Sequence, residues 1–223
     1  KKVAAGSTHI VIDIPVGPTA KVRTQEEALR LEYYFKAVGA ELGFQIETVI
    51  TDGSQPVGRG IGPALEAIDI ISVLRNEPNA PADLKERSLT LSAALLKLSG
   101  NYTPGQELSI AREILENGAA YKKFIRICEA QGGFNEPKLA PFKYDVFSKK
   151  AGTITSIDNR KLARIAKLAG APKCPSAGVI FLAPLAKKVK EGDLLLTIYA
   201  ESVGELAYAT SYLESITDLI QIE

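Results

Sequence analysis

A glycine-rich loop at residues 51–63 carries the clearest pattern for binding chemistry in this chain of 223 residues. It follows an apolar run and precedes a helical pattern, and open α/β sheets bind ligands at such strand-to-helix junctions. Its glycines could bring backbone N–H groups and the start of the helix to a phosphate. Alternatively, the carbonyls of Val57 and Gly60, with Asp69 from the helix, could hold a hard cation. A tight turn without a ligand is a third interpretation, because the glycine spacing fits neither the dinucleotide-binding motif nor the P-loop.

A second loop, residues 15–21, follows the first apolar run and contains Pro15 and Gly17. If both apolar runs are parallel strands, the two loops lie at the same edge of the sheet and share a cleft. Lys21 would then offer a positive charge to a ligand, and a solvated lysine ahead of a helix is the alternative. His9, the one histidine of the sequence, opens the strand and is interpreted as a strand-end residue rather than a catalyst.

Two strands and two helices are expected to position these loops. The β-branched run at 9–14 and the run at 44–50 are typical of buried strands. Thr24 and Glu27 form a capping-box pattern that starts a helix ending near Gly43, and a second helix is predicted over 63–75. The alternation of strands and helices predicts right-handed crossovers and a parallel sheet.

The rest of the chain divides into a helical region and an α+β unit. Residues 79–131 have a helical pattern, and residues 133–150 are typical of a linker with one short strand. Beyond them the order βαββαβ is typical of a split βαβ sandwich with a turn at 190–193, and its elements are predicted at 153–157, 159–169, 178–182, 194–200, 204–213 and 218–222. We therefore predict an α/β fold with two domains: residues 1–135 contain the parallel sheet, and residues 136–223 form a smaller α+β domain.

Composition excludes several classes of function. The 27 Lys and Arg residues balance 26 Asp and Glu residues, so neither a nucleic acid nor an anionic membrane is an expected partner. No apolar run is long enough for a membrane span, and the amino terminus lacks a signal peptide, which predicts a cytoplasmic location. The chain contains no methionine, so it is interpreted as a fragment of a longer protein.

Three segments together resemble the thymidine/pyrimidine nucleoside phosphorylase family. Residues 1–17 resemble a family segment in which an S-x-x-x-K-K pair precedes a strand ending in D-V-K-V-G. Residues 51–66 resemble the T-D-M-x-Q-P-L-G and G-N-A-L-E signature, and residues 192–201 resemble the family's carboxy-terminal module. The likeness extends over essentially the whole chain and corresponds to the carboxy-terminal half of such an enzyme.

The resemblance implies a reaction and a catalytic residue. In this family inorganic phosphate, the co-substrate, attacks the anomeric carbon of the sugar while the N-glycosidic bond breaks. Lys1 aligns with the family's base-contacting lysine and is therefore the candidate catalytic and substrate-binding residue, because a fixed ammonium stabilises the charge of the departing base. The family's phosphate-binding loops precede this lysine. The isolated chain is thus expected to be inactive, and its implied partners are the missing amino-terminal half and further copies in a homo-oligomer.

The resemblance also implies a metal site and a fold for the carboxy-terminal unit. The monovalent-cation site of the pyrimidine enzymes aligns with Val57, Gly60 and Asp69, which implies a potassium or sodium ion and no organic cofactor. The carboxy-terminal unit is implied to be an α/β hammerhead without catalytic residues.

Within the family, residues 7–9 and 14–18 look most like the archaeal AMP phosphorylases. Gly53 and Ser54 depart from the nucleoside-specific pattern, and Lys21 replaces an apolar residue near the base and sugar, so a nucleotide is favoured and Lys21 is expected to bind its 5′-phosphate. The predicted activity is that of a pentosyltransferase that converts AMP and phosphate to adenine and ribose 1,5-bisphosphate. The alternatives are a thymidine/pyrimidine nucleoside phosphorylase and a non-catalytic assembly module.

Overall fold

Two structural units, each built from two stretches of sequence, make up the part of the chain that the computed structural model describes, residue 2 and residues 4–223. The first unit runs up to Ser54 and continues over Ala82–Phe124, and the second comprises Gln55–Pro81 and Ile125–Glu223. The domains expected at 1–135 and 136–223 remain a prediction. The two units follow a different division, because residues 55–81 group with the carboxy-terminal segment.

Helices and strands alternate along both units. The helices are α1 (Gln25–Glu41), α2 (Pro63–Leu74), α3 (Ala82–Ser99), α4 (Glu107–Glu116), α5 (Ala119–Ala130), α6 (Asn159–Leu168) and α7 (Val203–Ser215). The strands are β1 (His9–Val16), β2 (Gln45–Asp52), β3 (Gly60–Ile61), β4 (Phe142–Phe147), β5 (Gly152–Ile157), β6 (Gly178–Phe181), β7 (Lys188–Val189), β8 (Leu194–Ala200) and β9 (Ile220–Ile222). The mixed α/β fold class is confirmed.

The first unit contains the predicted parallel strand pair. β1 and β2 pair in parallel, with His9 opposite Gln45 and Val16 opposite Asp52, and α1 connects them. The helix begins where the capping pattern predicts, since the Thr24 hydroxyl accepts a hydrogen bond of 3.2 Å from the Glu27 N–H. α3 packs against both strands, and the helical region predicted at 79–131 contains α3, α4 and α5.

The second unit contains two antiparallel sheets. Their strand orders are β3-β6-β8-β4 and β7-β5-β9. The strands and helices predicted between 153 and 222 are all present, and β4 is the short strand predicted within the linker. The division into two sheets was not predicted. It arises because the connection after β6 forms β7, which pairs with β5.

One turn differs from its prediction. Residues 190–193 form a turn in which the Lys190 N–H donates to an Asp193 carboxylate oxygen over 2.8 Å. The turn joins β7 to β8, rather than β6 directly to β8 as expected, because β7 lies within the connection. The core of this unit lies between α6 and the sheets, where Leu162, Ile165 and Leu196 are fully buried.

Gly178 allows β3 to approach β6 closely. A Cβ at this position would lie 2.1 Å from the carbonyl oxygen of Ile61, a contact that real side chains do not make, and its φ of 149° lies in the range that favours glycine. We expect Gly178→Ala to lower the free energy of unfolding by about 1–3 kcal/mol through overpacking, measured by urea denaturation. Gly204→Ala is the matched control, since Gly204 lies in the first turn of α7, where an added Cβ would meet only the Ser202 side-chain oxygen at 4.0 Å, and alanine there should be neutral or stabilising. Equal effects of the two substitutions would contradict this account.

Candidate nucleoside-binding edge and glycine loop

The carboxyl ends of β1 and β2 bring the starts of both predicted loops together. The Gly53 N–H donates a hydrogen bond of 2.8 Å to the Val16 carbonyl, which extends the strand pairing into the loops. Gly17 faces this segment so closely that an added Cβ would lie 2.4 Å from the Gly53 carbonyl carbon. The two backbones therefore touch at the edge of the sheet where parallel strands place ligands.

Arg87 of α3 bonds to both strands at this edge. Its guanidinium donates to an Asp13 carboxylate oxygen over 3.1 Å and to the Asp52 carbonyl over 2.7 Å. The other Asp13 oxygen accepts a hydrogen bond of 2.5 Å from the Thr51 hydroxyl. The ion pair is largely shielded, because the side chains of Arg87 and Asp13 are 17% and 25% exposed. One side chain thus holds a helix to the ends of two strands.

Sequence analysis did not find Arg87. The available signal was Asp13, a carboxylate inside the apolar run 9–14, since a charge placed in a buried strand requires a partner. The sequence could not identify that partner, because Arg87 lies 74 residues further along the chain.

Asp52 adds an ionised carboxylate to the same edge. Hydrogen bonds from the hydroxyl and the N–H of Ser54 lower the pKa of the Asp52 carboxyl, and the N–H bond measures 2.8 Å. A carboxylate fixed in this way repels anions and accepts hydrogen bonds from neutral groups. A nucleotide phosphate would therefore have to lie away from Asp52, towards a cation.

Lys21 is exposed on the loop that follows β1. Hydrogen bonds from the Ala20 N–H to the Gly17 carbonyl, 3.1 Å, and from the Gly17 N–H to the Val22 carbonyl, 3.2 Å, hold the backbone of this loop. The structure therefore fixes the base of the side chain and leaves its ammonium accessible to an anion. Binding of a 5′-phosphate by Lys21 remains a prediction. Lys1, the predicted catalytic residue, lies outside the described residues.

Asp69 lies against the glycine-rich loop in the second unit. One oxygen of this buried carboxylate accepts hydrogen bonds from the N–H groups of Arg59 and Gly60 over 2.6 and 2.7 Å. The Arg59 carbonyl faces the other way and accepts from the Phe181 N–H over 2.7 Å.

The predicted cation ligands are thus partly brought together. Gly60 and Asp69 lie side by side, and Val57 belongs to the same loop. A carbonyl and a carboxylate oxygen form a donor set that suits a hard monovalent ion. The same hydrogen bonds also explain Asp69 as a clamp of the loop, so a bound ion remains a prediction.

The alternative of an anion site at the start of α2 is not favoured. The Gly62 N–H donates to the Glu66 carboxylate over 3.1 Å, and the Ala64 N–H donates to the Pro175 carbonyl over 2.9 Å. Pro63 between them has no N–H. A carboxylate and a carbonyl therefore already engage the groups that a phosphate would need.

The family model described as "Pyrimidine nucleoside phosphorylase C-terminal domain" matches residues 153–219, which contain α6, α7 and the strands from β6 to β8. The class that the fold and the motifs point to is therefore that of the nucleoside phosphorylases.

Curated relatives match the whole chain. It is 55% identical over 223 residues to a "Putative thymidine phosphorylase" of Hahella chejuensis and 56% identical over 220 residues to one of Legionella pneumophila, 100% and 99% of the chain. It spans only 44% and 43% of the length of these relatives. The resemblance is confirmed: the chain is a member of the thymidine/pyrimidine nucleoside phosphorylase family and corresponds to its carboxy-terminal part.

The sequence predicts that no segment spans a membrane, and the structure tests this for the helices. Among the described residues, none of the helices is both long enough and apolar enough to cross a bilayer.

Replacing Arg87 should loosen the edge that both loops share. We expect Arg87→Ala to lower the free energy of unfolding by about 2–3 kcal/mol, because it leaves the Asp13 carboxylate partly buried without its cation. Arg112→Ala is the matched control, since Arg112 forms a bidentate but exposed pair with Glu86, and the loss of an exposed pair should destabilise the protein much less. Chemical denaturation of the variants measures both effects, and an Arg87 effect no larger than that of Arg112 would refute the proposed role.

Proposed function

We propose that the whole protein represented by this chain catalyses the reversible phosphorolysis of AMP to adenine and ribose 1,5-bisphosphate. A phosphate oxygen bonds to C1′ of the ribose, the C1′–N9 bond breaks, and adenine leaves with the bonding pair and takes up a proton. The observation that carries the choice of AMP is the accessible Lys21 ammonium on the loop at the carboxyl end of β1. The family relationship supports the phosphorolysis itself.

Lys1 is the proposed catalytic residue. As the bond breaks, the sugar becomes cationic and the base anionic, so an ammonium beside the base binds the transition state more strongly than the ground state. The chain would also contribute the walls formed by residues 15–21 and 51–54. Phosphate-binding groups are proposed to come from the amino-terminal part of the protein, and the chain alone should not turn over substrate because positioning supplies much of the rate.

Thymidine is the second candidate substrate, and it is favoured by the relatives that are named as putative thymidine phosphorylases. Their relationship extends over the whole chain. The two candidates differ at the sugar, since only AMP places a phosphate dianion within reach of a lysine. A charge at Lys21 would contribute nothing to binding thymidine.

A single substitution tests whether Lys21 binds the phosphate of AMP. In the whole protein we expect Lys21→Ala to lower kcat/KM for AMP about 10- to 100-fold and to leave that for adenosine nearly unchanged, because a charge-assisted hydrogen bond to phosphate is lost. Lys36→Ala is the control, since Lys36 lies on α1 and pairs with Glu32. Steady-state release of free base measures both variants and the unaltered protein.

Two results would overturn parts of this proposal. A higher kcat/KM for thymidine than for AMP in the unaltered protein would reject AMP and support the second candidate. Parallel changes for AMP and adenosine would remove Lys21 from the phosphate site while leaving phosphorolysis of AMP in place.

We also propose that Val57, Gly60 and Asp69 hold a potassium or sodium ion in the whole protein. Support comes from the buried Asp69 carboxylate, which lies against the backbone of Arg59 and Gly60 in this loop. At an ion concentration well above its dissociation constant, binding should raise the Tm by about 2–6 °C relative to tetramethylammonium. Asp69→Asn should abolish this difference, because the amide oxygen retains an acceptor for the loop N–H groups but loses the charge.

The control for the ion experiment is Asp158→Asn. Asp158 caps α6 and likewise accepts two backbone hydrogen bonds, 2.9 Å from Arg160 and 3.0 Å from Lys161, with no predicted ion. Its substitution should lower the Tm equally in every salt. If the protein melts at one temperature in potassium, sodium and tetramethylammonium chloride, Asp69 is a loop clamp and no ion binds.

A further inference from the structure

The outer edge of β4 offers backbone hydrogen-bonding groups to a partner. β4 is the end strand in the order β3-β6-β8-β4, and its other edge pairs with β8. The Leu182 N–H donates to the Leu195 carbonyl. The backbone N–H and C=O groups of the odd-numbered residues of β8 therefore point to β6, and those of the even-numbered residues point to β4. The backbone N–H and C=O groups of Tyr144, which lies opposite Ile198, therefore point to β8. The backbone N–H and C=O groups of Lys143 and Asp145 point outwards, away from β8.

This edge is accessible and apolar around its charges. Phe142 and Tyr144 are 40% and 43% exposed. A cavity of about 890 Å³ has Tyr144 of β4, Leu213 of α7 and Gln221 of β9 in its lining. An accessible edge of this kind is a template for strand pairing.

The charges on β4 are arranged to complement themselves. Lys143 and Asp145 lie two residues apart on one face of the strand, on either side of Tyr144. In an antiparallel pair of identical strands, residues whose positions add to a fixed sum stand opposite each other. A pair centred on Lys143 or on Asp145 would oppose like charges, whereas a pair centred on Tyr144 opposes Lys143 to Asp145 twice.

We propose that β4 pairs with β4 of a second copy of this chain, antiparallel and about a twofold axis at Tyr144. Lys143 then lies opposite Asp145 of the partner subunit in a hydrogen-bonded pair, and the reciprocal pair forms on the other side of the axis. Tyr144 lies opposite the partner subunit's Tyr144 in the non-hydrogen-bonded pair, where side chains approach most closely. The two four-stranded sheets become one continuous sheet.

The Asp145 carboxylate is ionised and held in place by contacts within the same chain. One of its oxygens accepts a hydrogen bond of 2.7 Å from the Thr197 hydroxyl on β8, which lowers the pKa of the carboxyl and keeps it ionised. The other oxygen lies 3.4 Å from the ammonium of Lys143 in the same chain. In a twofold-symmetric contact the same surface of each copy meets itself, so that surface must complement itself. β4 does so, because Lys143 and Asp145 carry opposite charges. An edge protected against pairing carries charges of one sign.

Charge exchange tests the register directly. Sedimentation equilibrium of the whole protein should show that Lys143→Glu raises the dissociation constant of the β4 contact about tenfold, because each cross-strand ion pair becomes a repulsion. The double variant K143D/D145K exchanges the charges and should restore the association. Lys188→Glu, which makes the same charge change on β7, should leave the mass unchanged.

Two further measurements separate association from folding. Thr197→Val removes the part-buried hydrogen bond to Asp145 but retains both charges, so it should weaken the association less than Lys143→Glu does, because the Asp145 carboxylate still lies opposite a lysine of the partner subunit. Far-UV circular dichroism confirms that each variant is folded. A folded Lys143→Glu protein with unchanged association, or a double variant that fails to recover while Thr197→Val associates normally, would overturn the proposal.

Discussion

The guanidinium of Arg87 joins one helix to the ends of both parallel strands, and the candidate binding edge depends on it. Two strands alone form a marginal sheet, because most of their backbone groups and apolar faces remain uncovered. α3 covers one face, and Arg87 fixes where that helix sits by binding Asp13 in one strand and the Asp52 carbonyl at the end of the other. The loops that follow then start from defined positions, which is the requirement for any ligand that must be oriented within a fraction of an ångström.

The glycine-rich loop is part of the hydrogen-bonded structure of the second unit, which its sequence pattern does not indicate. Gln55, within the family signature, accepts a hydrogen bond of 2.7 Å from the Leu185 N–H, and residues 60–61 form a strand of the four-stranded sheet. The loop is therefore part of a folded framework rather than a free binding segment. If Asp69 also binds an ion, that ion would stabilise the packing of this loop in the second unit in addition to any effect on catalysis.

Local patterns predicted most of the elements, and long-range contacts account for what they missed. The start of α1 depends on Thr24 and Glu27, which are three residues apart, so the sequence alone determines it. β3 and β7 have two residues each and carry no periodic pattern, so only their partners on β6 and β5 define them. At the candidate site, Asp13 signals a missing cation but does not identify Arg87. The roles of Lys1 and Lys21 follow from the family resemblance, since their types and spacing are common among solvated lysines.

The grouping of residues 55–81 with the carboxy-terminal segment affects how the protein can be divided and recombined. A cut at 135 would separate β6 from β3, and it would leave the Pro175 carbonyl without the Ala64 N–H that donates to it. The matched family segment, 153–219, is thus smaller than the unit that folds around it. Exchange of this module between relatives would therefore preserve its packing only if the two segments were exchanged together, so the two stretches should be inherited as a pair.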